Sequence, residues 1–569
     1  MTKVLNLVRT HHHRFLFSLI FLFFIFTHIG GVHFPYHQDE YKWVLYSHPE
    51  IIAPGTVPHP PLTEFIYTKI GPIVGDFNFR FIPFFFGILN FFLIFYLSKI
   101  IFNKKAALWT VFLFAISFYS LLASLMVDVD GAIMPFFFLL MSIGYFKWKN
   151  SRIQNVSQDN SKWITLMIIG AIGGFMIKVS AVLPIGAIFL DFLIEKEVFS
   201  DKKKIFKYML YGSGGVFTLI GVLLFAKFLF PFFNLEYAFN YWKHFAVFQG
   251  RGWLQTFIQF GKAILYTSPI LILPMFLSGK EIWRKTKVFY FFVFIGLFFY
   301  IVAFDFSIGA LDRYFQFMII PLCIISGAVL SQAFENIRGN IKKAHIFGLF
   351  IAIFLLLIVQ FFPHIVPALH PKSEWLSRIF SLKWNFLYPF SGGSGPLGFY
   401  ISFLFLALSW ILSTGFFVAA FSKSGLRNII LAGIFSIGLV YNFVFIEEYL
   451  FGTINGSAPR LLSGAVEFIK NDPDIKFVTV YNDNGGYDIQ NIGKYRKRLY
   501  TDPKFGIDTK IATLNQYKEH YLEINIPRID PNSFYRRYLD SCIVVYQETD
   551  KSISGTVYDC RNAPDVSAH

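Results

Sequence analysis

The sequence predicts an all-α polytopic membrane protein of about thirteen transmembrane helices, followed by a small extracytoplasmic C-terminal α/β domain. Three observations carry this. Of the 569 residues, 55% are hydrophobic and only 15% charged, and the mean hydropathy is +0.52, outside the balance of soluble domains. Runs such as 15–29 and 346–362 carry almost no polar side chain, whereas a soluble core breaks its apolar runs every few residues. Short clusters of Lys and Arg recur between the runs and favour alternate loops.

The first run, 15–32, follows Arg9 and Arg14; its length and its lack of an A-x-A cleavage site predict an uncleaved span instead of a signal peptide. Further runs lie at 81–97, 106–125, 132–146, 163–177, 181–194 and 208–230. Six more occupy 261–277, 288–304, 315–334, 346–362, 397–421 and 429–445, so residues 1–446 form the membrane domain. With Met1 in the cytoplasm, the alternate loops hold Lys99, Lys104 and Lys105; Lys147, Lys149 and Arg152; and Lys202, Lys203, Lys204 and Lys207. They continue with Arg284, Lys285 and Lys287; Lys342 and Lys343; and Lys423 and Arg427. The opposite loops, 32–80, 232–260 and 363–396, are longer yet poorer in basic residues and are expected to face outward. The formal charge of +16 is therefore spread as topology signals and not gathered into a nucleic-acid-binding face. His11, His12 and His13 read as part of a basic cytoplasmic leader.

An odd number of spans places the polar segment 447–569 outside as well. Its length, roughly 120 residues, suits one small domain. A helix is expected at 461–471, strands at 476–481, 542–547 and 556–558, and a turn at Asp483-Asn484-Gly485-Gly486. Three cysteines are too few for a disulfide scaffold or zinc site, but an extracytoplasmic location permits a Cys542–Cys560 bridge.

Acidic residues stand out beside the spans, because a carboxylate is costly near hydrocarbon. The outward loop 33–80 opens with His37-Gln38-Asp39-Glu40-Tyr41 and continues to His59-Pro60-Pro61-Leu62. The short outward turn between the third and fourth runs contains Asp128 and Asp130. Asp39 and Glu40 can be read as a solvated loop start, and Asp130-Gly131 as a tight turn or helix cap. The functional reading gains weight because topology brings both acid pairs to one membrane face. Lys178, between the fifth and sixth spans, and Arg313, before the tenth, join them there against the charge bias. Snorkelling or pairing with Asp312 would explain these cations; so would a lipid phosphate.

The stretch from Asp39 to about Trp148 carries the Asp-Glu pair, His59-Pro60-Pro61-Leu62, Arg80 opening the second span and Asp130 opening the fourth. It resembles the GT-C membrane glycosyltransferases, in particular the protein O-mannosyltransferase and 4-amino-4-deoxy-arabinose lipid A transferase superfamily. Asp312-Arg313-Tyr314 followed by Pro321 is similar to that family's later R-Y motif, and Lys178 to its lysine between the fifth and sixth spans. The resemblance implies inverting transfer of a sugar from a polyprenyl-phosphate donor to a glycan, lipid or protein acceptor at the outer face. On that reading Asp39 is the candidate base, with Glu40 and Asp130 as further catalytic candidates. Lys178 and Arg313 hold the donor phosphate, Asp128 and Arg80 are secondary candidates, and the co-substrate is the only cofactor. His59 stands where some relatives carry a lysine, and a neutral imidazole there would hydrogen-bond without neutralising phosphate. No cluster has metal-ligand spacing. An oligosaccharide transferase or lipid-oligosaccharide ligase is a neighbouring alternative. A secondary transporter is a more distant one, since the acids lie at one face and no half-to-half repeat is evident.

Membrane-impermeant labelling of single cysteines introduced after residue 447 is expected to modify them in intact cells; protection there would overturn the charge-based topology.

Overall fold

The computed structural model describes residues 12–36, 38–48, 55–153, 160–245, 252–305, 311–335, 343–365, 368–390, 398–422, 426–481, 485–499, 506–524 and 529–566. His37 and the Asp483-Asn484 half of the expected turn lie outside these residues, as do the side chains of Asp39 and Asp312. The chain forms two compact units: Met1–Val32, Lys42–Ile341 and Ser413–Leu439 make the first; His33–Tyr41, Lys342–Leu412 and Val440–His569 make the second. The second unit thus extends beyond segment 447–569.

In chain order the helices begin α1 (His12–Ile29), α2 (Gln38–Leu45), α3 (Pro61–Val74), α4 (Phe81–Ile101), α5 (Lys104–Ile116), α6 (Phe118–Leu125) and α7 (Ile133–Ile153). They continue with α8 (Asn160–Ile177), α9 (Val182–Glu195), α10 (Lys202–Leu229), α11 (Leu235–Phe245), α12 (Trp253–Thr267), α13 (Pro269–Phe276) and α14 (Lys280–Phe298). A short α15 (Leu311–Tyr314) leads into α16 (Ile319–Glu335). Among the described residues, nine helices are long and apolar enough to cross a membrane, or up to eleven if each of two bent pairs is one span. The other two expected runs are helical in α7, whose last turns carry Lys147, Lys149 and Arg152, and in α9, which has only 14 residues.

The bends have local causes. Between α5 and α6 the chain turns by 68° at Ser117, whose extended backbone ends one helix and whose hydroxyl accepts from the Ser120 amide at 3.3 Å to start the next. Between α12 and α13 it turns by 94° where Ser268, at φ 71°, precedes Pro269, which has no amide to continue the ladder. Residues 106–125 and 261–277, each expected as one span, are therefore broken. Close helix approach relies on small residues: a Cβ on Gly170 of α8 would come within 2.5 Å of the Met141 amide nitrogen in α7.

In the second unit, α17 (Lys343–Phe361) and α18 (Trp375–Phe380) precede a hairpin of β1 (Leu387–Phe390) and β2 (Phe399–Ser402); α19 (Phe403–Ser422) and α20 (Arg427–Leu450) follow, with residues 413–439 of these two helices belonging to the first unit. The run at 397–421 thus enters as a strand before becoming helical. A buried polar knot ties this region together. Glu448 accepts from Gln360 Nε2 at 3.0 Å and Asn455 Nδ2 at 2.9 Å, and the same Asn455 amide donates to the Tyr400 carbonyl at 2.9 Å.

The C-terminal domain comprises α21 (Ala458–Asn471), β3 (Val478–Tyr481), α22 (Gly486–Asn491), β4 (Tyr495–Leu499), α23 (Ile507–Gln516), β5 (His520–Ile524), α24 (Phe534–Asp540), β6 (Ile543–Asp550) and β7 (Ile553–Asp559). The five strands form one sheet in the order β4-β3-β5-β7-β6, parallel at β4-β3-β5 and antiparallel at β5-β7-β6. Leu461, Leu462, Ala465 and Ile469, spaced along one side of α21, cover Val478, Leu522, Ile524 and Val557 on one sheet face. Tyr521 and Tyr558 on the opposite face pack with Leu514, Tyr535, Tyr538 and Leu539. Cys542 and Cys560, just outside the β6–β7 ladder, form a disulfide.

Alkylation of the denatured, unreduced protein is expected to label Cys323 alone, and all three cysteines after reduction. Cys560→Ser is expected to destabilise the domain by about 3 kcal/mol, the worth of closing a loop of this length.

Candidate active site

The site in the first unit is built around residues 126–132, the loop between α6 and α7. Asp128 folds this loop with its own side chain: Oδ1 accepts from the Val129 amide and from the Asp130 amide at 3.1 Å. Three side chains hold the backbone from outside. Tyr67 of α3 donates to the Asp128 carbonyl at 2.8 Å, Arg80 Nη1 to the Leu125 carbonyl at 2.7 Å and Asn90 Nδ2 of α4 to the Ala132 carbonyl at 2.8 Å. Gly131 packs against α6 so closely that a Cβ would lie 2.3 Å from the Ala123 carbonyl oxygen. The tight-turn reading of Asp130-Gly131 therefore holds for the glycine, but the carboxylate that shapes the turn is Asp128.

Asp130 is engaged elsewhere. Lys178 leaves the end of α8 in an extended conformation, with Thr63 Oγ1 donating to the preceding Ile177 carbonyl at 2.7 Å. Its ammonium meets both Asp130 oxygens at 2.6 Å and lies 4.3 Å from the Tyr314 ring centroid. Arg313, from α15, places Nη1 3.1 Å from Asp128 Oδ2 and donates through Nη2 to the Tyr314 hydroxyl at 3.0 Å. Tyr314 in turn stacks at 5.7 Å on Tyr300, in the π-helical turn Phe299–Ala303 that ends α14. Two carboxylates and two cations from three separate stretches of chain thus converge, with Asp128 and Asp130 only 3% and 5% exposed.

Burial pushes the Asp128 carboxyl up, but Arg313, Lys178 and two backbone amides together hold it below its ordinary range. For Asp130 burial prevails over Lys178, assisted by the neighbouring Asp128, and the carboxyl is raised. His59, half-buried in the loop before α3, stacks on Trp43 at 5.8 Å, and Trp242 Nε1 donates to the adjacent Pro58 carbonyl at 2.9 Å. Burial and the Lys178 cation push its imidazole down to about 3, so it stays neutral at physiological pH. It can hydrogen-bond to a phosphate but adds no charge to the site.

The remaining expected residues fall as follows. Asp39 and Glu40 lie in the first turn of the short helix α2, in the part of the chain that belongs to the second unit, and Glu40 is buried at 2% exposure. Arg80 is buried behind the site and supports the loop through Leu125. Among the described residues no group of three His, Cys, Asp or Glu is placed to hold a metal ion. Sequence reasoning named Tyr314 within the R-Y motif but gave it no role, and it passed over Tyr67, Asn90 and Tyr300, each an ordinary tyrosine or asparagine in an apolar stretch.

Residues 58–227 match the family model of the dolichyl-phosphate-mannose-protein mannosyltransferases, a stretch that holds His59, Arg80, Asp128, Asp130 and Lys178. No curated protein matches the chain in sequence. Apo ArnT from Cupriavidus metallidurans is similar in structure, with 12% identity, coverage of 97% of this chain and 99% of that one, and a TM-score of 0.50. The same protein bound to undecaprenyl phosphate aligns at 12% identity over 96% of this chain and 98% of that one, with a TM-score of 0.48. The archaeal oligosaccharyltransferase AglB from Archaeoglobus fulgidus, in complex with an inhibitory peptide and a dolichol-phosphate, aligns at 12% identity over 85% and 64% of the two chains, with a TM-score of 0.45.

Lys178→Met leaves Asp130 buried without its cation and is expected to lower the thermal unfolding midpoint. Adding Asp130→Asn should recover most of the loss, since a broken buried pair costs more than a missing one. Additive losses in the double variant would show that the pair is not coupled.

Proposed function

The chain has the fold of the GT-C membrane glycosyltransferases, and on that premise we propose that it transfers a sugar, with inversion, from a polyprenyl-phosphate carrier to an acceptor hydroxyl at the outer face of the membrane. The observation that carries this reading is the convergence of Lys178 and Arg313 on Tyr314 and the Asp128–Asp130 loop. Two cations are held in fixed positions by carboxylates, next to a neutral histidine. Such preorganised charge suits a reaction whose leaving group is a phosphate anion.

In the proposed step the acceptor oxygen attacks the anomeric carbon and the bond from that carbon to the phosphate oxygen breaks. The acceptor proton passes to a carboxylate, for which Asp39 is the candidate. The released lipid phosphate is already a stable anion, so it calls for positive contacts and not for a protonating acid. Lys178 and Arg313 supply them, sharing their hydrogen bonds between phosphate oxygens and the aspartates that position them. Asp130 also faces the sugar hydroxyls in this reading, and no cofactor beyond the lipid-linked sugar is required. The family matched over residues 58–227 is named for a sugar carried on a polyprenyl phosphate, which supports the donor class. The charge bias of the loops supports an outward site and C-terminal domain, and the Cys542–Cys560 disulfide agrees with an oxidising compartment.

Purified protein supplied with a panel of polyprenyl-phosphate sugars is expected to transfer at least one of them. Asp39→Asn should retain donor binding while turnover falls by about 10²- to 10⁴-fold, the usual worth of a general base; near-normal turnover would remove Asp39 from that role. Arg313→Met should weaken donor affinity, and unchanged affinity would mean that this cation serves only its contacts within the protein.

A further inference from the structure

The C-terminal domain contains a cavity of about 370 Å³ that the transfer chemistry does not use. Its floor is one end of the sheet. Glu523 of β5 lies opposite Thr556 of β7, and Thr556 lies opposite Gln547 of β6, so the register sets three polar side chains in a row across three strands. Ser554 and Tyr558, two residues to either side on β7, project from the same face. The other end of that face is covered by Tyr535, Tyr538 and Leu539, so the polar row begins where the apolar cover stops.

The wall is α24. It contributes Arg536 and Asp540, one helical turn apart, with Arg536 Nε and Nη2 at 2.7 and 2.6 Å from Asp540 Oδ1. Glu523 is 6% exposed and accepts from the Tyr558 hydroxyl at 3.1 Å, with Arg536 Nη1 4.0 Å away. The two carboxylates outnumber the one guanidinium, and that guanidinium is already committed to Asp540. A phosphate or carboxylate ligand is therefore disfavoured. Carboxylate and amide oxygens facing hydroxyl and amide donors across a few ångströms suit a neutral ligand dense in hydroxyl groups, which accepts and donates at adjacent atoms. The volume falls within the ~300–1,000 Å³ of ordinary small-molecule sites and accommodates one or two sugar rings.

We propose that this cavity is a carbohydrate-binding site for a neutral mono- or disaccharide unit, held by the Glu523–Thr556–Gln547 row and by Arg536 and Asp540. The site is separate from the transfer chemistry, and it stands or falls by binding whether or not transfer is observed.

Saturation-transfer-difference NMR on the full-length protein in detergent tests it, with neutral hexoses, N-acetylhexosamines and their disaccharides as probes and glucuronate, inorganic phosphate and lysine methyl ester as charged controls. At least one neutral sugar should receive saturation. Its affinity should fall about tenfold or more in the Gln547→Ala/Ser554→Ala double variant, which removes two neutral hydrogen-bonding groups from the rim. These positions lie toward solvent, so folding of the variant can be verified by an unchanged unfolding midpoint. The proposal is overturned if no neutral sugar binds, if only a charged control binds, or if neutral-sugar binding is unchanged in the folded double variant.

Discussion

Two buried ion pairs organise the candidate active site. A carboxylate withdrawn from water requires a partner, and here each of two aspartates on one seven-residue loop has its own: Asp130 with Lys178, Asp128 with Arg313. Each pair draws in a different part of the chain, the end of α8 in one case and the short α15 in the other. Tyr314 lies against both cations, so a single ring joins the two pairs. The loop cannot shift without breaking at least one of these contacts. The supporting bonds from Tyr67, Arg80 and Asn90 secure its backbone in the same sense.

That arrangement depends on helices that stop where they do. A straight helix through residues 104–125 would carry its ladder past Ser117; the bend there redirects α6, and the Asp128 loop starts from its end. Breaks of this kind are tolerated in a membrane protein when neighbouring side chains satisfy the freed backbone groups, as Ser117 does for the Ser120 amide. The π-helical end of α14 has a related consequence, because it presents Tyr300 to Tyr314. The bend at Ser117 and the π-helical turn thus both bear on the charged loop.

The C-terminal domain follows soluble-protein rules. Its sheet is buried on one face by an amphipathic helix and on much of the other by tyrosines, and a disulfide closes the end of its antiparallel ladder. The polar end of the second face is a departure from that economy. Glu523 and Thr556 are buried there without an apolar cover over the neighbouring Gln547 and Ser554, which leaves a cavity suited to a ligand.

Several features were legible in one dimension. Apolar runs are additive along the chain, so the helices of the membrane domain could be placed from composition, and the strands β3, β6 and β7 were approached in the same way. The charged residues of the candidate site, Asp128, Asp130, Lys178 and Arg313, were legible because charge beside hydrocarbon is costly and therefore conspicuous. Strand β4, Tyr-Arg-Lys-Arg-Leu, was not, since its basic residues hide the β pattern, and β5 gains its fully buried character only from the neighbours on either side. Two of the thirteen runs proved broken and a third began as a strand, because a bend is decided by a few atoms at Ser117 or Pro269 and not by mean hydropathy. The sequence by itself determined that this is a multi-span membrane protein with unusual charges at the ends of its helices. Only the tertiary structure decided which acid meets which base and which aspartate shapes the turn. Those outcomes depend on distances and burial between residues far apart in the chain, and no local pattern encodes them.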